Sequence, residues 1–303
     1  MAEFGPIGRR SSAQVRDAAY YNINPTMTMP SYNPMLFQGC AQYYERGRPA
    51  YSRDLAATLA AEVGLNGSGR LLDAGCGPGI LTVELAPLFT EAIGLDPDAD
   101  MLAEAERRAS ERGIGNIRLT RGVVEEAAAL VQAPLKLVTF GRSFHWTDRE
   151  RAAGLLYDML EPGGALAVIS DHREDRPQPD GPGFPLVPAD LIHDLLDRFL
   201  GPDRPKSRAR TLVKELRHED ALARTRFGPP RVLYCPGRPD IVWDIDGVVA
   251  HCFSRSSSAP HLFGARAGEF ETELRDSLAE LSPTGLFWVW PGDTEIILAE
   301  KTK

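Results

Sequence analysis

Residues 71–80 read LLDAGCGPGI, and no other stretch constrains the fold as much. An apolar, strand-like run ends on Asp73, and Gly75, Gly77 and Gly79 follow at once. Glycine there permits a tight turn with positive φ and lets a ligand reach the main chain without meeting a Cβ. The surrounding chain alternates in kind. Strand-like RLLDAG, EAIGLD, NIRLTRG, LKLVTFG and PGGALAVIS are separated by helix-patterned GILTVELAPLF, DADMLAEAERRASERG, VEEAAALV and DRERAAGLLYDML. This rhythm predicts an α/β fold, a parallel sheet with helices on both faces. Ligands of such sheets bind beyond the carboxyl ends of the strands. A preceding helix is predicted over 52–65, with Ser52 as its N-cap.

After Ser170 the rhythm changes. Residues 171–284 are mostly helix-patterned (ADLIHDLLDRFL, HEDALARTRF, DIVWDIDGVVAHCF, GEFETELRDSLAEL), with one strand-like run, RVLYC. The chain closes with LFWVW and TEIILAEK around Pro291-Gly292-Asp293, which predicts a terminal hairpin whose last strand is antiparallel to the rest. Three parts follow. Residues 1–50 form an N-terminal arm, with Tyr20, Tyr21, Met27 and Met29 as packing candidates. Residues 51–170 and 285–303 form the core. Residues 171–284 form a helical insertion between strands five and six.

A composition of 43% hydrophobic and 25% charged residues predicts a soluble globule with a real core. A net charge of −8 without a long basic block argues against a dedicated nucleic-acid binder. The densest basic stretches, ERGRPAYSR and RPKSRAR (Arg204 to Arg210), read as solvated surface, the second also as a contact to an anionic substrate. Cys40, Cys76, Cys235 and Cys252 are scattered and form no CxxC pair, which suits a reduced compartment better than a disulfide framework or a zinc site. No secretion pattern and no membrane-length apolar run are seen, so the expected location is cytoplasmic, with no membrane partner.

The glycines also narrow the ligand. A dinucleotide fingerprint counted from Gly75 needs its third glycine at 80, where Ile80 stands, and no Lys-Ser/Thr ending makes a phosphate loop. Asp96, closing the second strand, can accept both hydroxyls of a ribose. That acid alone leaves NAD and other nucleosides open; the glycine spacing disfavours the pyrophosphate.

The segments LLDAGCGPGILTVELA, IGLDPDADMLAEAERRA, LVTFGRSFHWTDRERA and LEPGGALAVIS resemble the class I S-adenosylmethionine-dependent methyltransferases. The closest likeness is to the small-molecule, type 11-like group, whose fourth strand runs into a Phe-His-Trp segment. The resemblance spans about residues 40–170 plus the terminal hairpin. It implies a Rossmann-like, seven-stranded, mostly parallel sheet and S-adenosyl-L-methionine as cofactor. It further implies a monomer or homodimer that methylates O, N or C of a small molecule, as in secondary-metabolite biosynthesis, with no nucleic-acid partner. By the same resemblance, Asp73 and the Gly75–Cys76–Gly77 backbone face the methionine end, and Asp96 takes the ribose diol. Pro97 and Met101 lie near the adenine, Phe140 and Gly141 line the sulfonium side, and Tyr44 and Arg48 close over the cofactor. Relatives place an acid after the third strand to bind adenine; here Val123 stands in its place. Adenine recognition therefore falls to the backbone around Val124 or to Glu125.

Methyl transfer is an in-line displacement in which positioning can supply much of the catalysis. If a base is needed, His145 is the candidate, since a histidine titrates near neutrality; a packing role in the substrate floor is the other reading. Trp146 and Phe144 offer faces to a cation or belong to the core, and Phe144 reads as core. Asp171, His172, Trp243 and His251 are candidate substrate contacts. No metal is expected. The acids of SDHRED (Asp171, Glu174, Asp175) have no counterpart after strand four, where Arg142 and Ser143 sit. The same cofactor pocket also suits a cyclase or lyase without an external acceptor, and a non-catalytic nucleoside sensor is a further reading. Nucleobase methylation is disfavoured because TFGRSFHW replaces the Asn/Asp-Pro-Pro-aromatic segment of those enzymes.

Overall fold

The structure is a computed structural model that describes residues 33, 35–173, 178–202 and 217–302. Tyr20, Tyr21, Met27, Met29, Glu174, Asp175 and the Arg204–Arg210 stretch lie outside the described residues.

Five strands come in the predicted order: β1 (Arg70–Ala74), β2 (Glu91–Asp96), β3 (Ile117–Arg121), β4 (Leu135–Gly141) and β5 (Leu160–His172). Helices α3 (Ile80–Leu85), α4 (Ala99–Glu111), α5 (Ala127–Leu130) and α6 (Arg149–Met159) connect them, preceded by α1 (Ala41–Gly47) and α2 (Leu55–Val63). The sheet order is β3-β2-β1-β4-β5-β9-β6, where β6 is Arg231–Cys235 and β9 is Asp293–Glu300. The first five strands are mutually parallel, and β9 runs antiparallel to both β5 and β6. This is the expected seven-stranded, mostly parallel sheet with an antiparallel last strand.

The partner of that last strand differs from the expected hairpin. β8 (Leu286–Trp288) pairs with β7 (Val242–Asp244) in a separate two-stranded ladder, Trp243 opposite Phe287. β9 instead lies between β5 and β6, with Ser170, Glu295 and Tyr234 in one row. Gly292 at φ +85° turns the chain from one ladder to the other, and Phe287 is drawn into the core of the insertion. Residues 231–235 therefore belong to the sheet, although the sequence places them in the insertion. Helix α2 starts at Leu55 rather than 52, and the Ser52 hydroxyl accepts from Asp54 N–H at 3.2 Å without capping the helix.

Strand alternation divides the core into two layers. Leu72, Val138, Phe140, Leu166, Val168 and Ile297 pack on α5 and α6. Leu71, Leu137, Ala167, Ile169, Leu233 and Ile296 pack on α2 and α3. Burial of such side chains, about 1.5–3 kcal/mol each, is the main driving term for the sheet. A third cluster belongs to the insertion helices α7 (Ala189–Leu200), α9 (Ile245–Phe253) and α11 (Ala267–Leu281). Its centre is a group of rings, with Phe263 and Phe270 centroids 4.4 Å apart. Between them in the chain lie α8 (His218–Ala223) and α10 (Pro260–Phe263). Among the described residues, no helix is long and apolar enough to cross a membrane.

Candidate active site

The turn from β1 to α3 carries Gly75, Gly77 and Gly79 at φ +66°, +52° and +71°. Two backbone bonds, Gly75 N–H and Cys76 N–H to Leu95 O at 2.8 and 3.1 Å, tie it to β2. The glycines do different jobs. A Cβ on Gly75 would stand 2.7 Å from Ser143 Cβ, and one on Gly79 would stand 2.9 Å from Ala105 Cβ, so both permit close packing. A Cβ on Gly77 would meet nothing within 4 Å. There the bare main chain faces open space, as a ligand cradle requires.

Asp96 locks that cradle from β2. Its Oδ2 accepts from Gly77 N–H at 2.8 Å and its Oδ1 from Asp98 N–H at 2.9 Å. Each oxygen keeps a further lone pair for a ligand hydroxyl. Burial pushes the Asp96 carboxyl up to about 6, against the pull of those two N–H groups. Asp98 in turn caps α4, accepting from Asp100 and Met101 N–H, which fixes the buried Met101 beside the β2 end. Pro97 O accepts from Arg121 Nε at 3.1 Å. Past β3, Val124 is buried and Glu125 is exposed. Gly122 N–H donates to Asp96 O at 3.2 Å, which brings this segment to the same corner.

Asp73 is placed differently from Asp96. It is 1% exposed, and both of its oxygens are taken, by Thr82 Oγ1 at 2.6 Å and Thr139 Oγ1 at 2.8 Å. Burial raises its carboxyl to about 6, while the threonine hydroxyls pull the other way. Asp73 thus lines the cradle and also pins α3 and β4 to β1.

Between cradle and N-terminal segment lies a cavity of about 30 Å³, lined by Asp73, Gly75, Cys76, Gly77, Tyr44, Tyr51, Gly141 and Arg142. Tyr44, Tyr51 and Arg142 thus share one cavity wall with the cradle residues. Arg48 is not among the lining residues. Its Nη2 donates to Ser254 O at 2.7 Å and its guanidinium lies 4.7 Å from the Tyr44 ring centroid, so it supports Tyr44 from behind.

On the other side of β4, Phe140 and Phe144 are fully buried with centroids 4.8 Å apart, and Phe144 is core as expected from its pattern. His145 stacks on Trp146 at 4.8 Å, and Trp146 meets the edge of Phe37 at 5.8 Å. Burial first, then His218 and Arg149, drive the His145 imidazole down to about 3. It is therefore neutral near pH 7, and such a weak base is poorly matched to proton abstraction there; a neutral hydrogen-bonding role suits it better.

Asp171 and His172 diverge, as successive strand residues must. Asp171 Oδ1 pairs with Arg142 Nη2 at 2.7 Å, beside the cradle. His172 turns to the other face, 3.5 Å from Glu295 Oε1 and against the Tyr234 ring. Trp243 and His251 are not brought to the cradle. Their rings lie 5.1 Å apart, and His251 Nδ1 meets Gly47 O at 2.8 Å where α9 crosses α1. Added carbon at Gly47 would collide with the Ala250 backbone, so this is a tight helix junction. The sequence reading missed Tyr51 and Arg142 as cavity walls. The only signal for Arg142 was its position immediately after β4.

Residues 71–164 match the family model described as a methyltransferase domain. Over this stretch the chain is similar to methyltransferase domains. The chain is 30% identical over 127 residues to a probable S-adenosylmethionine-dependent methyltransferase of Saccharomyces cerevisiae, covering 41% of this chain and 43% of that protein. It is 34% identical over 151 residues to a trans-aconitate 2-methyltransferase of Variovorax paradoxus, covering 48% and 53%. It is 32% identical over 152 residues to a malonyl-[acyl-carrier protein] O-methyltransferase of Enterobacter lignolyticus, covering 48% and 58%. The matched part thus spans about half the length of these curated relatives. The matched residues hold β1 to β4, the start of β5 and the cradle; the rest of β5 and the insertion lie outside them.

Proposed function

We propose that the protein transfers a methyl group from S-adenosyl-L-methionine to O, N or C of a small-molecule acceptor. The observation that carries this reading is the Gly77 main chain, open on one side and fastened on the other to the Asp96 carboxylate. That pairing fits a nucleoside whose sugar lies on the bare backbone and donates both hydroxyls to Asp96. Pro97, Met101, Val124 and Glu125 surround the base. Asp73, Cys76 and Gly141 border the methionine half, with Phe140 packed behind β4, and Tyr44, steadied by Arg48, covers it. When bound, the cofactor supplies an electrophilic methyl on a sulfonium centre. The chain's own residues orient the partners and exclude water. Trp146 offers a ring face, and the neutral His145 accepts a hydrogen bond from the acceptor's O–H or N–H. Residues 171–284, apart from β6, form the lid that selects the acceptor, and residues 1–50 contribute the cofactor cover. The relatives named for trans-aconitate and a malonyl group support carboxylic acids as the first acceptor class to screen.

The test is calorimetric titration with S-adenosylhomocysteine, followed by transfer of labelled methyl groups to a panel of small acids. Binding that falls at least tenfold in Asp96→Ala supports the assignment. Saturation by a nicotinamide dinucleotide with no S-adenosylhomocysteine signal overturns it.

A further inference from the structure

Arg142 is the one residue other than glycine with positive φ among the described residues, at +56°. Left-handed backbone suits glycine or asparagine, whereas a long side chain is strained in it. Such strain persists where the surroundings enforce it, commonly at ligand sites. Here it turns a cationic side chain back along the wall of the cradle cavity. The guanidinium is gripped on several sides. Nη2 donates to Pro49 O at 3.0 Å and to Asp171 Oδ1 at 2.7 Å, and the group lies 4.2 Å from the Tyr51 ring centroid. Its Nε is buried and has no partner. With only 13% of the side chain exposed, bulk water does not supply one. A guanidinium presents Nε and Nη as a two-pronged edge matched to a carboxylate, and this edge is half used.

We propose that Arg142 is a carboxylate receptor, its Asp171 pair being the resting arrangement that a bound small molecule's carboxylate replaces. Asp171 is the more exposed partner, at 29% against 13%, and can turn to solvent. Asp73 lines the same cavity, but both its oxygens are already covered by Thr82 and Thr139. The inference rests on the methyltransferase reading and adds a residue to it. Two sources offer this chemistry: the amino-acid end of the cofactor and an acid acceptor.

The experiment separates them. Wild type, Arg142→Gln and Arg142→Lys are titrated calorimetrically with S-adenosylhomocysteine and with 5′-methylthioadenosine, which lacks the amino-acid end. The S-adenosylhomocysteine-loaded proteins are then titrated with malonate. Arg142→Gln is expected to weaken carboxylate binding about tenfold to a hundredfold, the range of a lost charge-assisted bond, with partial recovery in Arg142→Lys. Methylthioadenosine affinity stays unchanged and serves as the control for folding. Asp171→Asn, which removes the competing carboxylate, tightens the same binding. A loss confined to S-adenosylhomocysteine identifies the cofactor's carboxylate; a loss confined to malonate identifies the acceptor's. Unchanged S-adenosylhomocysteine binding in Arg142→Gln, with no Arg142-dependent malonate binding, overturns the proposal. Failure of both nucleosides to bind wild type removes the methyltransferase reading instead.

Discussion

Thr139→Val tests the electrostatics at the heart of the sheet. Thr139 is fully buried on β4 and its hydroxyl meets Asp73 Oδ1 at 2.8 Å. Valine keeps the shape and removes the donor, so one carboxylate oxygen loses its partner where water cannot reach. A hydrogen bond to a charged group contributes about 1.5–3 kcal/mol, and one to a neutral group about 1 kcal/mol. Which figure applies depends on the state of Asp73, whose carboxyl is raised by burial from 3.8 to about 6. A raised folded-state value means stability that is fully present below pH 3.8 and lost as pH climbs through 6. For Asp73 alone that loss is roughly 3 kcal/mol. The threonine hydroxyl favours the ionised form, so its removal costs most above pH 6. The expected penalty is about 2 kcal/mol at pH 8 and about 1 kcal/mol at pH 5. With an m-value of roughly 3 kcal/mol/M, the urea midpoint falls by about 0.7 M at pH 8 and by about half that at pH 5. Equal shifts at the two pH values, or a larger one at pH 5, would refute the reasoning. Thr82→Val, which removes the 2.6 Å bond from α3, should behave alike. The double variant should cost less than the sum, because an Asp73 that has lost both donors stays protonated.

Two of the three cradle glycines separate in the same assay. Gly77→Ala has free space for its methyl and costs about 1 kcal/mol from the left-handed backbone alone, but it weakens S-adenosylhomocysteine binding by placing carbon where the ligand lies. Gly75→Ala adds a collision with Ser143 and so destabilises more; equal stability losses would show that the two positions are not distinguished as described. Asp96 predicts a pH dependence of binding. Because burial holds its carboxyl near 6, and hydroxyl recognition favours the ionised form, S-adenosylhomocysteine affinity should rise with pH through 6 and level off above 7. A flat calorimetric profile between pH 5 and 8 would sink the ribose assignment.

What the sequence revealed, and what it hid, follows from the range of the forces involved. Strands β1, β2, β4 and β5 were legible because each carries an apolar run buried in the sheet; the edge strand β3, IRLTR, is only half-buried and was legible from its apolar-polar alternation. The cradle was legible because three closely spaced glycines after a strand have few other uses. RVLYC was readable as a strand. Its place beside β9 was not, since pairing over that separation is chosen by the whole sheet and leaves no local mark. The same holds for LFWVW, whose Phe287 serves the insertion core instead of a hairpin. The surroundings of Trp243 and His251 left no local mark either: in sequence an aromatic pair looks the same whether it meets a ligand or, as here, stacks ring on ring with His251 against Gly47 O. Arg142 was hidden for a subtler reason: nothing in its neighbours announces a left-handed backbone, and its value comes from Tyr51, Pro49 and Asp171, which are remote in the chain.

The position of β9 also sets an order of events during synthesis. Emerging from the ribosome, residues 231–235 meet no finished sheet, for the strand that must separate them from β5 has yet to be made. Until residues 293–300 appear, β5 keeps one flank of N–H and C=O groups unsatisfied, open to mispairing with another nascent chain. β9 is thus the keystone of the sheet, and removing residues 293–300 would detach β6 along with it.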